Sequence, residues 1–297
     1  MSPRRNARAA APRAPMRRPS TRGRTRALGQ HFLRDRSVAD RIVELVAPSA
    51  RDLIVEIGPG RGALTEALAA RGGRLLALEI DAALAETLRA RFAESPRVEI
   101  RQADARHFDY AGLRALAPDP AGRVLVVGNL PYSVGKPILA ALVEAGPAID
   151  EMALMLQKEV AERVAAEPGG KTYGALSVLT QVACAVRLAF TVPPGAFSPP
   201  PQVESAVVHL RSHREPPVPV ADPARFTTVV RAAFSQRRKS LANSLAAGLG
   251  LGAERARHLS AAAGIDPGRR AETLSLAEFA RLTAAFMSPP PSALPRG

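Results

Sequence analysis

The 297-residue sequence predicts an α/β protein: a mostly parallel sheet with helices on both faces, followed by a small C-terminal helical domain. Three observations carry that prediction. Short, strongly apolar runs such as Leu53–Ile57 and Val124–Val127 recur through the middle of the chain. Strands buried on both faces read as such near-continuous hydrophobic runs. Segments with helical spacing alternate with the early runs, which is the βαβ pattern of a parallel sheet. Beyond a proline-rich stretch, the apolar residues keep helical spacing only.

The strand candidates, in order, are Leu53–Ile57, Leu75–Ile80, Val98–Gln102, Val124–Val127, Met152–Gln157, Val182–Phe190 and Ser205–Leu210. Between the early ones, Gly62–Ala70 reads as a helix stopped by Gly72-Gly73. Ala82–Ala93 reads as a second, with Leu84, Leu88 and Phe92 forming one buried face and Asp81 standing as N-cap. In the C-terminal part, Phe226, Val230 and Ala233 share a face, as do Leu241, Leu245 and Leu249. Leu276, Phe279, Leu282 and Phe286 mark a final helix. The expected organisation is an Arg-rich tail (1–27), an α/β domain (28–211), a linker (212–221), a helical domain (222–287) and a second tail (288–297). Pro216, Pro217 and Pro219 favour an extended linker path, and no internal repeat is found.

Composition narrows the function. The net charge is +14, but residues 1–26 hold nine arginines and no acid, so the remainder carries only +5. An Arg-rich, acid-free arm with few large apolar groups is expected to be disordered. Such an arm gains affinity for nucleic acid by releasing counterions. A solvated extension without a task, or a transit segment, has the same composition, although four prolines oppose the amphipathic helix of the latter. The single cysteine, Cys184, lies in an apolar run and reads as a core residue. One cysteine permits no internal disulfide, which fits a reducing compartment. No apolar stretch reaches membrane-spanning length, and no signal peptide is apparent.

Residues with chemical capability gather at strand ends. Leu53–Ile57 contains Glu56 and runs into Gly58-Pro59-Gly60-Arg61-Gly62, a turn in which glycines let backbone approach a ligand closely. Its spacing departs from the Gly-x-Gly-x-x-Gly of dinucleotide sites. Pro59 and the acidic Glu56 suit a ligand that joins a nucleoside to an amino acid. Glu79 ends the second strand about 20 residues further on, where a carboxylate accepts from ribose hydroxyls. Asp104 closes the third strand as an acceptor for an adenine amino group. At the end of the fourth comes Asn129-Leu130-Pro131-Tyr132, in which a carboxamide oxygen, a backbone carbonyl and an aromatic face suit a flat aromatic amine. Each of these residues alone is also ordinary turn or loop chemistry. Four at successive strand ends point to S-adenosylmethionine as cofactor, and the tetrapeptide is of the amino-methyltransferase type. No metal is expected, and no nucleophile motif is present.

At this point the chain resembles the ribosomal RNA adenine dimethylases, over roughly residues 28–287. Leu28-Gly29-Gln30-His31-Phe32-Leu33 is similar to the family's opening Gln-Asn-Phe-Leu motif, with His31 in place of Asn. The resemblance implies that His31 and Leu33 hold the methionine end of the cofactor, beside Gly58, Gly60, Glu79, Asp104 and Asn129. Phe197-Ser198-Pro199-Pro200-Pro201-Gln202-Val203-Glu204-Ser205 resembles the Phe-x-Pro-x-Pro-x-Val loop, which implies that Phe197 forms an aromatic clamp with Tyr132. Gln157–Arg163 and Lys171–Ser177 match segments near the target, making Lys171 and Tyr173 candidate RNA contacts. Phe234–Leu245 and Ile265–Leu274 look like the small-subunit branch, with Arg237, Arg238 and Lys239 as candidate phosphate contacts on a basic helix.

The resemblance implies a Rossmann-like class I methyltransferase sheet and a catalytic set of Asn129, Leu130, Tyr132 and Phe197. The implied activity is dimethylation at N6 of two adjacent adenosines in a hairpin near the 3′ end of small-subunit (16S) rRNA. That activity would belong to rRNA processing and ribosome biogenesis. The partner is small-subunit rRNA or the immature small ribosomal subunit, met by a cytoplasmic monomer with no membrane association. A large-subunit dimethylase of the macrolide-resistance type and a non-catalytic ribosome-assembly factor are the alternatives.

Overall fold

The computed structural model describes residues 31–288. The Arg-rich tail 1–27, residues 28–30 of the opening motif and residues 289–297 lie outside the described residues. The described residues begin with a two-residue strand, β1 (Phe32–Leu33), and helix α1 (Arg36–Val46), capped by the Asp35 carboxylate on the Ser37 N–H. Then follow β2 (Leu53–Ile57), α2 (Ala63–Ala69), β3 (Arg74–Glu79), α3 (Ala82–Arg91), β4 (Val98–Gln102), β5 (Val124–Asn129), α4 (Gly135–Glu144), β6 (Glu151–Gln157) and α5 (Lys158–Val164). Helix α6 (Ala175–Ala183), β7 (Cys184–Val192), β8 (Phe197–Ser198) and β9 (Ser205–Ser212) complete the α/β part. Helices α7 (Pro223–Ala233), α8 (Leu241–Leu249), α9 (Ala253–Ala262) and α10 (Leu276–Met287) form the C-terminal part.

Seven strands form one sheet in the order β4-β3-β2-β5-β6-β9-β7. β2 to β6 are mutually parallel, and β9 lies antiparallel between β6 and β7. Alternation along the strands divides the core. Leu53, Val55, Ile57, Val124 and Val126 face a cluster with α4 and α5. Ile54, Leu125 and Val127 face α1 and α2 on the other side. Burial on both faces is why these runs carry no polar alternation. The short β1–β8 pair ties the start of the described chain to the loop before β9, with Leu33 opposite Phe197.

Local sequence explains most boundaries. Asp81 caps α3 through the Ala83 and Leu84 N–H groups, as the sequence suggests. The buried face of α3 is centred on Ala85 and Leu88, with Leu84 and Phe92 only half-buried at its edges. The expected four-residue stripe drifts off the core because an α-helix turns by 3.6 residues, not four. The expected strand Val182–Phe190 begins two residues later and ends at Val192, because α6 continues through Ala183. A short apolar run does not by itself separate a buried helix end from a strand. Cys184 is buried in the core, where desolvation pushes its thiol up to about 11.

In the C-terminal part, Phe226, Val229, Val230, Leu241, Leu245, Leu274, Phe279 and Leu282 share one apolar cluster with Tyr173 and Val178 of the α/β part. Helices α7 and α8 meet so closely that a Cβ on Gly248 would lie 2.5 Å from the Ala232 Cα. Ser275 and Glu278 form a reciprocal capping box on α10. Residues 236–239, expected on a basic helix, instead lie in the exposed turn between α7 and α8. Among the described residues, no helix is long and apolar enough to cross a membrane.

Candidate active site at the carboxyl edge of the sheet

From β2 the chain steps outward through β3 to β4, then returns to add β5 on the other side of β2. The crevice beyond the carboxyl ends of these strands is the topological switch point, where open α/β sheets bind ligands. A cavity sits there, and His31, Leu33, Gly58, Gly60, Glu79, Asp104, Asn129, Leu130 and Tyr132 all line it. Elements far apart in sequence bring these residues to one place.

The glycine turn forms its floor. Gly60 has φ of 57°, and a Cβ there would lie 2.8 Å from the Phe32 ring, so only glycine fits without displacing that wall. The Gly60 N–H donates to Glu79 Oε2 (3.0 Å), and the Asp81 N–H donates to Oε1 (2.9 Å). Two backbone donors thus aim a carboxylate that keeps further acceptor capacity on each oxygen. Burial raises the Glu79 carboxyl above its ordinary value. Beside it, Glu56 is fully buried, and its Oε2 meets no protein donor among the described residues. Desolvation, reinforced by the nearby Glu79, pushes its carboxyl up to about 8. A buried carboxylate oxygen without a partner is costly in an empty core and useful beside a cationic or hydrogen-bonding ligand.

Asp104 stands two residues past the end of β4, at the cavity wall. The Arg106 side chain grips both its oxygens, at 3.0 Å from Nε to Oδ1 and 2.5 Å from Nη2 to Oδ2. The Arg106 hydrogen bonds hold the Asp104 carboxyl down to about 2, so it is ionised at any working pH.

Asn129 ends β5 opposite Met155 of β6, and the Leu130 N–H donates to the Met155 carbonyl (3.0 Å). The Asn129 Nδ2 donates to the His31 carbonyl (2.9 Å), which leaves Oδ1 as the open acceptor of the carboxamide. Tyr132 is half-buried, and its hydroxyl lies 2.6 Å from the Ser205 Oγ at the start of β9. The His31 ring sits against Tyr132 with centroids 5.4 Å apart and planes 36° from parallel.

The other expected site residues fall elsewhere. Phe197 is not among the residues lining the cavity: it is 2% exposed, paired with Leu33 and packed in the α1–α2 cluster. Its strand pairing turns the ring into the core, away from the cavity. Tyr173 is not an RNA-facing residue either. It is 2% exposed, packs edge-on against Phe234, and burial pushes its hydroxyl up to about 12. Lys171 is exposed, and its carbonyl accepts from the Arg237 guanidinium, which places the two near each other. Arg238 and Lys239 are exposed in the same turn as Arg237. Sequence reasoning missed Phe32, Arg61, Ile80 and Arg106 as lining residues. The Arg61 guanidinium lies over the Phe32 ring at 4.7 Å. The signals were faint: Arg106 stands two residues after an Asp, and Phe32 stands between two motif residues.

A seven-stranded sheet of this order, with carboxylates at the carboxyl ends of three neighbouring strands, β2, β3 and β4, around its switch point, defines the class I methyltransferase architecture. The chain belongs to the ribosomal RNA adenine dimethylase family, whose model matches residues 22–287. It is 46% identical to the ribosomal RNA small subunit methyltransferase A of Chromohalobacter salexigens, over 89% of this chain and 92% of the relative. It is 47% identical to the protein of the same description in Geobacter metallireducens, over 89% of this chain and 95% of the relative. The crystal structure of the 23S rRNA methyltransferase ErmE is similar at a TM-score of 0.63 and 27% identity, over 86% of this chain and 98% of that one. A dimethyladenosine transferase from Plasmodium falciparum shares the fold at a TM-score of 0.72 and 21% identity, over 86% of this chain and 97% of that one.

Proposed function

We propose that this protein transfers methyl groups from S-adenosylmethionine to N6 of two adjacent adenosines in a hairpin near the 3′ end of small-subunit rRNA. The observation that carries this reading is a pair of acceptors on residues lining the cavity: the Asn129 Oδ1, left open by the bond to His31, and the neighbouring Leu130 carbonyl. Two acceptors one residue apart match the two N–H groups of an exocyclic amine.

The residues of the cavity fit S-adenosylmethionine. The Glu56 Oε2, without a donor among the described residues, and the left-handed glycine turn suit its cationic amino-acid end. Glu79 accepts from ribose hydroxyls, and Asp104 from the adenine amine. When bound, this group supplies an electrophilic methyl carbon on a positively charged sulfur. The chain's own task is to present the acceptor. Hydrogen bonds from the amine to Asn129 and Leu130 draw its lone pair out of conjugation with the ring and aim it. Held about 3–3.5 Å from the methyl carbon, the nitrogen gains most of its advantage from position. Asn129 and Leu130 then hold the nitrogen as it becomes cationic, when its proton is acidic enough to leave to water. This accounts for a site without a strong general base. The target adenosine has to leave its stack, which costs least in a loop.

The small-subunit reading is supported by relatives of that description at 46–47% identity, against 27% for the large-subunit enzyme of known structure. The acceptor we propose is the immature small subunit, met by a monomer in the cytoplasm. Lys171 and the turn carrying Arg237, Arg238 and Lys239 serve as phosphate contacts. The test is to offer unmethylated small-subunit and large-subunit RNA with labelled S-adenosylmethionine and map the product. N6,N6-dimethyladenosine at a pair of small-subunit positions supports the reading, whereas label confined to large-subunit RNA, or none, overturns it.

A further inference from the structure

Asp104 is the acceptor proposed for the adenine amine of the cofactor, yet its lone pairs are already taken. We infer that the Arg106 guanidinium is an internal competitor for that amine: it occupies Asp104, and the adenine of S-adenosylmethionine binds by displacing it. This inference rests on the reading of Asp104 as the adenine-amine acceptor.

The use of the lone pairs carries the argument. An ionised carboxylate offers about four acceptor sites, two on each oxygen. Asp104 Oδ1 accepts from the Arg106 backbone N–H (2.9 Å) and from Arg106 Nε (3.0 Å). Oδ2 accepts from Nη2 (2.5 Å) and shares Nε (3.1 Å). One residue thus covers both oxygens twice. Glu79 differs, because a single backbone N–H reaches each of its oxygens. Glu79 can take ribose hydroxyls as it stands, whereas Asp104 takes an amine only when an Arg106 nitrogen leaves.

The placement fits such an exchange. Gln102 at the end of β4 lies opposite Glu79 of β3, and the Ala103 N–H donates to the Glu79 carbonyl (3.0 Å). The amine acceptor therefore stands one strand beyond the ribose acceptor, and Ile80, Ala103 and Ala105 line the cavity around it. The acceptor is fixed: next to it, the Ala105 carbonyl is held by the hydroxyl of the buried Tyr110 (2.7 Å). The competitor is loose. The Arg106 side chain is 41% exposed and, among the described residues, its guanidinium meets no acceptor besides Asp104. An exposed ion pair contributes little net stability, so this one exchanges for water at small cost. The exchange makes the 6-amino group decisive, because a purine without it gains nothing by moving Arg106.

The experiment compares the full-length wild type with Arg106→Leu. Calorimetry measures binding of S-adenosylhomocysteine and of its analogue with hydrogen in place of the 6-amino group. Asp104 stays ionised in the variant, since an ordinary aspartate is charged at neutral pH. Without its competitor, S-adenosylhomocysteine should bind about two- to fivefold more tightly, while affinity for the analogue should not change. In isotopically labelled wild type, the Arg106 Nε–H resonance is the one missing from Arg106→Leu. S-adenosylhomocysteine should move it to the position of a solvated guanidinium, and the analogue should leave it with the signature of a paired one. A gain shared equally by both ligands, no gain at all, or an Arg106 resonance that stays paired with S-adenosylhomocysteine overturns the inference. If Arg106→Leu binds the two ligands equally, Asp104 is not the amine acceptor and the reading beneath the inference fails, so the two failures are distinct.

Discussion

At the amino ends of β2, β5 and β6, Asp52, Arg123, Glu151 and His209 form a closed network. At the carboxyl ends of β2, β3 and β5, Glu56, Glu79 and Asn129 surround an open one. In the first, Asp52 accepts from the Arg123 and Ser49 N–H groups and the Arg123 guanidinium. Both oxygens of Glu151 are taken, by Arg123 (2.9 Å), Arg211 (3.2 Å) and His209 (2.5 Å). In the second, among the described residues, Glu56 Oε2 is buried without a partner and the Asn129 oxygen has none. Strands β2 and β5 carry both ends and the carboxylates of both are buried, so burial does not distinguish them. Pairing does: a carboxylate whose acceptors are filled by protein holds the sheet together, and one left incomplete is shaped for something else.

Substitutions at the two ends should therefore fail differently. The largest effect is expected from Asn129→Ala, which removes the open acceptor. Transfer should fall by about 10³ in kcat, while calorimetric affinity for S-adenosylmethionine falls only modestly. Full methylation by this variant would remove the tetrapeptide from the chemistry. Glu79→Ala comes next. Losing two charge-assisted bonds to ribose should weaken cofactor binding by several hundredfold, at about 1.5–3 kcal/mol each. An unchanged calorimetric affinity would take Glu79 out of the cavity's function.

The closed end should show the opposite signature. Glu151→Ala strands His209 and Arg123 and should cost about 3 kcal/mol of stability, read by urea unfolding. Transfer per folded molecule should be unaltered. A loss of kcat without a loss of stability would mean that the two ends are not separate.

A smaller effect concerns pH. The Glu56 carboxyl is raised from 4.5 to about 8 in the folded protein, so the folded state binds an extra proton between those values. The stability tied to that proton is complete below 4.5 and is lost as pH rises through about 8. Glu56→Gln is neutral throughout, so its unfolding free energy should fall less than that of wild type between about pH 5 and about pH 9. Parallel curves would show that Glu56 is not protonated when buried. The smallest effect is expected from Arg238→Ala, in the turn between α7 and α8. It should weaken RNA binding uniformly across sequences and reduce the salt slope by about one counterion, and an unaltered slope would free that turn from RNA contact.

Much of the open end was legible because its residues sit at strand ends, and strands buried on both faces announce themselves. Leu53–Ile57 and Val98–Gln102 match their expected bounds, and Glu79 and Asn129 close β3 and β5. Asp104 is reached two residues past its strand, yet still faces the cavity. The aromatic residues were read less well. Phe197 and Tyr173 lie in segments that resemble the family, but a motif does not say which way a ring points. Strand pairing with Leu33 turned one inward, and the C-terminal core absorbed the other. The closed network at the amino ends left no trace in the sequence reading. Asp52, Arg123, Glu151 and His209 are scattered singly, and only the register of β6 against β9, with Glu151 opposite Arg211 and Ala153 opposite His209, brings them into contact.

The sequence by itself determined the βαβ order, the glycine turn, the acidic strand ends and the family, because these depend on periodicity and short-range spacing. Only the tertiary structure decided which carboxylates are paired, that Ser205 pins Tyr132, and that His31, not Phe197, stands against it. Those facts join residues 58 to 101 positions apart. Contacts of that range are set by how the sheet is ordered and in what register its strands meet, and local sequence carries neither.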